Sequence, residues 1–106
     1  MAFTVAQSNP TDNTFTDLYT VPASTEAVIS TLAVANIEGD TAFTVAIRPA
    51  GAALSDEQYL IYESTLAAGE SKFFTIGIAL AATDVVTVRA ATDDVAFTAF
   101  INETEV

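Results

Sequence analysis

A chain of 106 residues is long enough to build one hydrophobic core and too short for two. It holds no Cys and no His, and its net charge is −11. That composition excludes disulfides, thiolate and imidazole metal ligands and histidine-based acid–base catalysis, while the charge disfavours phosphate backbones and anionic membranes.

Met1-Ala2-Phe3-Thr4-Val5 lacks the basic start and the longer apolar run of a signal peptide. The longest apolar run, residues 76–82, falls far short of the about 20 residues of a membrane-spanning helix. A soluble protein is expected. Residues 3–7, 14–21, 27–36 and 58–65 are rich in the β-branched and aromatic residues that suit a pleated surface. In residues 42–48, Phe43, Val45 and Ile47 alternate with Thr44, Ala46 and Arg48, the period of a half-buried strand. The same period sets Phe74, Ile76, Ile78 and Leu80 against Thr75, Gly77 and Ala79. It recurs with Val86, Val88 and Ala90, and again with Val95, Phe97, Ala99 and Ile101.

Turn chemistry separates these segments at Asn9-Pro10-Thr11-Asp12-Asn13, Pro22-Ala23-Ser24, Glu38-Gly39-Asp40, Pro49-Ala50-Gly51, Ala68-Gly69-Glu70 and Asp93-Asp94. A short helical turn fits around residues 52–57. The pattern predicts one all-β domain over residues 1–106, an antiparallel β-sandwich of about eight strands in either jelly-roll or immunoglobulin-like order.

The positions opposite the core-facing residues carry the functional signal. Ala33, Ala35, Ala46, Ala79, Ala91 and Ala96 fall there, where Lys, Glu and Arg are usual, and Phe73 and Phe100 also oppose the inward register of their strands. Small apolar residues on a second face let another surface approach closely; they also serve as ordinary β-surface filler. Lys72 is the chain's one lysine, so the commonest guard of exposed strand edges is nearly missing, and the edges are expected to be paired, covered or shortened. Tyr59 and Tyr62 fall on opposite faces of their strand by strict alternation, which leaves at least one to stack on a sugar ring, anchor an interface or sit at a sheet margin.

Chemistry is sparse elsewhere. Oxygen ligands for calcium could come only from the turns at Asp12 and Asn13, Glu38 and Asp40, or Asp93 and Asp94, and none follows the EF-hand spacing. Asp in turns is already explained by local backbone hydrogen bonding. No Gly-x-Ser-x-Gly elbow occurs, and Gly77 lies inside a predicted strand, where it marks a bulge or a close approach. No catalytic residue, cofactor or metal ligand is assigned. The acidic residues are spread from Asp12 to Glu105 without a block, which reads as a solvated surface.

Leu18-Tyr19-Thr20-Val21-Pro22-Ala23 followed by Ala27-Val28-Ile29-Ser30-Thr31-Leu32-Ala33-Val34-Ala35-Asn36 resembles small virion proteins of tailed bacteriophages. The likeness continues through Thr44-Val45-Ala46-Ile47-Arg48-Pro49-Ala50-Gly51 and Leu80-Ala81-Ala82-Thr83-Asp84-Val85-Val86-Thr87-Val88, and spans roughly residues 18–101. It implies a β-sandwich present in many copies on the particle, as a capsid decoration (cement), head-fibre or tail-associated protein. It implies no catalytic residues. The expectation is therefore a non-enzymatic, homo-oligomeric virion protein, assembled in the host cytoplasm, whose partners are the major capsid protein or tail proteins rather than nucleic acid or membrane. The candidate interface comprises Ala33, Ala35, Tyr59, Tyr62, Phe73 and Phe100. The alternative is a tail- or fibre-associated carbohydrate-binding or receptor-binding module.

Overall fold

Alternating segments resolve into nine strands in a computed structural model that describes residues 2–106. They are β1 (Ala2–Ser8), β2 (Thr16–Thr20), β3 (Thr25–Asn36), β4 (Thr41–Arg48), β5 (Tyr59–Leu66), β6 (Ser71–Phe74), β7 (Ile78–Leu80), β8 (Val85–Ala90) and β9 (Val95–Glu105). One sheet has the order β1-β9-β3-β6, with β7 also on β3; the other runs β2-β8-β4-β5. Every pairing is antiparallel. The pairs β4–β5, β3–β6/β7, β2–β8 and β1–β9 nest inside one another, so the chain is one long hairpin wound around the core. That is jelly-roll order, and it settles the choice against the immunoglobulin arrangement.

The predicted strand over residues 74–80 is broken. Gly77 adopts φ 64°, which an L-side chain resists, and residues 75–77 leave the sheet between β6 and β7. Ile76, expected to face the core, is consequently exposed. The helical turn expected around residues 52–57 is found as two 3-10 turns, Pro49–Gly51 just before that stretch and Asp56–Gln58 overlapping its end. β9 runs further than its apolar residues suggest. Its polar end is held from both sides, with Glu103 opposite Ala2 of β1 and Ala27 of β3.

The core between the sheets is aliphatic with an aromatic centre. Leu18, Val21, Ile29, Leu32, Val34, Val45 and Val86 share one buried cluster with Phe43, whose ring lies 6.2 Å from Phe97 and 6.1 Å from Phe74. Such tilted pairs add to the burial that drives folding. Tyr19 of β2 spans the sandwich margin and donates its hydroxyl to the Glu103 carboxylate of β9.

One buried polar residue fastens the end of β3. Asn36 directs its amide nitrogen at the carbonyls of Gly39 (2.9 Å), Ala67 (2.9 Å) and Leu66 (3.2 Å), while its Oδ1 accepts from the Glu38 N–H. Asn36→Ala removes these bonds, one of them buried, and should destabilise the fold by about 1–3 kcal/mol in urea titrations. A cost below about 0.5 kcal/mol would show that water replaces the side chain freely.

Three turns, around Val21, Ala50 and Thr83, meet at one end of the sandwich. Val21 N–H donates to the Asp84 carbonyl, Thr83 N–H to the Val21 carbonyl, and Ala50 N–H to Asp84 Oδ1. Asp84 Oδ2 also accepts from Ala81 N–H. These residues have a structural task in closing the turns, with Ala50 at φ 52° and Thr83 at φ 68°.

Candidate binding faces

The outer face of the five-stranded sheet is set by a bulge. β3 buries Ala27 and Ile29, then Leu32 and Val34, and the register against β9 shifts between Ile29 and Thr31. The extra residue keeps both apolar sets in the core. Val28, Ala33 and Ala35 therefore face outward. Phe73 of β6 stands opposite Ala33, and Phe100 of β9 stands between Thr31 of β3 and Val5 of β1. Phe3 lies opposite Asn102.

The result is a broad apolar surface in a strongly acidic molecule. Phe3 is 84 % exposed, Phe73 68 %, Val5 54 %, Phe100 44 % and Val28 43 %. Alternation makes Glu26 the one charged outward position among the described residues of these five strands. Phe3, Val5, Ser30, Phe100 and Asn102 line a shallow groove of about 260 Å³ near the β1 edge.

The other sheet is finished differently. Its outward positions Thr44, Ala46 and Thr87 are buried, so Ala46 is no part of an exposed small-residue face. A layer of longer side chains lies over this sheet. Arg89 pairs with Glu63 at 2.6 Å and sits 4.4 Å over the ring of Phe15, which neighbours Tyr59 at 6.5 Å. Arg48 lies 3.6 Å from Asp17, which also accepts from the Thr87 hydroxyl. Partly desolvated guanidinium over an aromatic face is a favourable contact. Two of the chain's three basic residues are thereby engaged internally.

Tyr59 and Tyr62 share one face, contrary to strict alternation; their rings lie 4.8 Å apart at 61°. The cause is the register shift of β5 against β4 that falls between Tyr59 and Ile61; a second shift follows before Ser64, where Glu63 adopts φ 48°. Each extra residue reverses the facing of the side chains after it. Ile61 turns inward instead, opposite Val45. Tyr62 is 62 % exposed and, with Tyr59 and Asp56, borders a surface depression. A larger one of about 460 Å³ adjoins it, lined in part by Ile47, Pro49, Glu57 and Tyr59. Hydrogen bonds from its own backbone N–H and from Ser55 hold the Glu57 carboxyl below its ordinary range, so it is anionic at neutral pH.

At the turn end, partial burial and the charges of Glu38, Asp93 and Asp12 raise the Asp94 carboxyl. Among the described residues no three acidic side chains are grouped to hold a metal ion. Burial, and then the Glu103 carboxylate, push the Tyr19 phenol above its ordinary value. The folded state thus keeps this proton where the unfolded chain releases it. Its contribution to stability is intact below about pH 10 and falls as pH rises beyond that. Tyr19→Phe should flatten the alkaline limb of the urea midpoint between about pH 9 and 11. An unchanged limb would place the alkaline sensitivity elsewhere.

Of the candidate interface residues, Ala33, Phe73 and Phe100 share the outer face of the five-stranded sheet, with Ala35 at its half-buried end. Tyr59 and Tyr62 lie on the opposite side of the sandwich, at the β5 edge. Phe3 and Val5 join the outer face without a signal in sequence: their bulk favours the core by composition, and only pairing with Asn102 and Phe100 turns them outward. Compared with known protein families, curated proteins and solved structures, the chain matches none.

Proposed function

We propose that the chain is a non-enzymatic virion structural protein of a tailed phage, a capsid decoration (cement) protein that binds the shell in many copies. The observation that carries this reading is the nearly charge-free outer face bearing Phe3, Val5, Val28, Phe73 and Phe100 in a molecule of net charge −11. Large exposed apolar patches mark interaction surfaces. The molecule measures 43 × 27 × 20 Å, so a broad face can supply the about 800 Å² per partner of a stable interface. The likeness of residues 18–101 to phage virion proteins points the same way. Burial against neighbouring capsid subunits stabilises the shell by mass action, and the effect accumulates over many copies. The test is co-sedimentation with expanded shells of the phage that encodes the chain: saturable binding is expected, and a protein that stays in the supernatant with both shells and tails would overturn it.

Jelly rolls also serve in sugar-binding proteins, so the fold does not choose between the readings. The edge-to-face pair of Tyr59 and Tyr62 beside Asp56 and Glu57 favours a second one, a tail- or fibre-associated module in which the exposed Tyr62 ring packs on a sugar ring while carboxylates accept from its hydroxyls. Glycan-array binding that disappears in Tyr62→Ala would support it, and an array without signal would remove it.

A further inference from the structure

The sheet edges of this sandwich are not equivalent. β2 is bulged between Asp17 and Tyr19. β5 shifts register twice and carries Glu63 at φ 48°. The β6/β7 edge is interrupted at residues 75–77 by Gly77. Bulges and breaks of this kind stop strands from pairing with other chains. β1 has no such device. It pairs with β9 alone, through seven consecutive register positions without a shift, and its sequence, Ala-Phe-Thr-Val-Ala-Gln-Ser, contains no charge and no proline.

We propose that β1 is a self-pairing edge, through which two copies of the chain join antiparallel about a two-fold axis near Thr4. An open edge offers a row of backbone N–H and C=O groups, so its natural occupant is another strand. Charge does not bar a second copy at this edge. Each copy carries −11, and like charges placed opposite one another across a sheet are destabilising. β1 and the stretch of β9 from Phe97 to Asn102 behind it are free of charge, so two copies meet here without that penalty.

Side chains make the strand self-complementary. With Thr4 on the axis, Phe3 of each copy stands opposite Val5 of the other, and Ala2 opposite Ala6. Phe3 and Val5 already face outward beside Phe100, so the two apolar grooves merge into one stripe across the joined sheets. Phe3, the most exposed large apolar side chain of those described, gains a partner. The contact is isologous and closes at two copies. It leaves Phe73, at the far side of the same sheet, free, and it stands whether or not the outer face meets a shell.

Sedimentation of the whole chain over a micromolar concentration series tests the pairing. A monomer–dimer equilibrium is expected, with Val5→Glu raising the dissociation constant by about 100-fold at unchanged melting temperature. Phe73→Glu should leave the dimer intact while losing any shell binding, which separates this pairing from contacts made by the rest of the face. Because the chain is free of cysteine, Thr4→Cys should cross-link to its own copy on oxidation or with a short bismaleimide, whereas Ser71→Cys at the β6 edge should not. A strict monomer, a trimer, a dimer that survives Val5→Glu, or a Thr4→Cys variant that fails to cross-link would each overturn the proposal. So would a β1 edge that takes up a strand of another protein instead of its own copy.

Discussion

Phe97→Ala should lower the unfolding free energy by about 3–5 kcal/mol, while Phe100→Ala, three residues along the same strand, should cost less than about 1 kcal/mol. Phe97 has no solvent exposure and meets Phe43 edge-to-face at 6.2 Å, in β9 between β1 and β3. Truncation removes the transfer energy of the ring and leaves a cavity in a packed centre that cannot collapse without moving both sheets. Phe100 points the other way, and its removal takes apolar area from a face that water already reaches. A domain of this size is stable by about 5–15 kcal/mol, so the first substitution removes a large fraction and the second almost nothing. Urea titrations followed by far-ultraviolet circular dichroism measure both. Equal costs would mean that β9 does not turn Phe97 inward and Phe100 outward.

Phe73→Glu and Phe100→Glu should each fold normally and, on the proposed reading, reduce shell binding by about 100-fold or more. The physical reason is desolvation: a carboxylate pressed into an apolar contact without a cation costs several kcal/mol, and about 1.4 kcal/mol is a factor of ten. In the free protein both positions face water, so the same charges are tolerated. Tyr62→Glu on the opposite side is the matched control and should bind as the parent does. If Tyr62→Glu abolishes binding and the Phe variants do not, the working face is the aromatic margin of β5 and the sugar-binding reading gains.

The sequence carried the architecture further than the details of facing. In β4, β8 and most of β9, apolar residues alternate without interruption, and each of these strands is flanked on both sides, so local pattern and tertiary register coincide. Phe100 could be placed outside for the same reason, and Phe73 by the alternation of Lys72, Phe73 and Phe74 in β6. Alternation fails where pairing inserts a residue. The bulge at Ser30 and Thr31 depends on pairing with β9, distant in the chain, and the β5 shift between Tyr59 and Ile61 reverses parity once, which is how Tyr59 and Tyr62 come to share a face. The break at Gly77 had a visible cue in the glycine itself, although its flanking isoleucines kept the period of a strand.

Burial on the outside of the second sheet was illegible for another reason. Thr44, Ala46 and Thr87 look like surface residues, and what hides them is a layer assembled from Phe15, Arg89, Glu63 and Tyr59, which come from separate parts of the chain. Composition alone offered a hint: with three basic residues in the chain, Arg48 and Arg89 on adjacent strands are well placed to pair internally with Asp17 and Glu63. The consequence for function is that the sandwich has one nearly charge-free outer face, on the five-stranded sheet.

The proposed role makes the chain an abundant part of a particle. Quantitative mass spectrometry of purified particles of the encoding phage tests this most directly, by the ratio of this chain to the major capsid protein. A stoichiometric ratio is expected, with copies distributed over the shell. Particles that lack the chain, or carry only a trace beside an abundant major capsid protein, would contradict it.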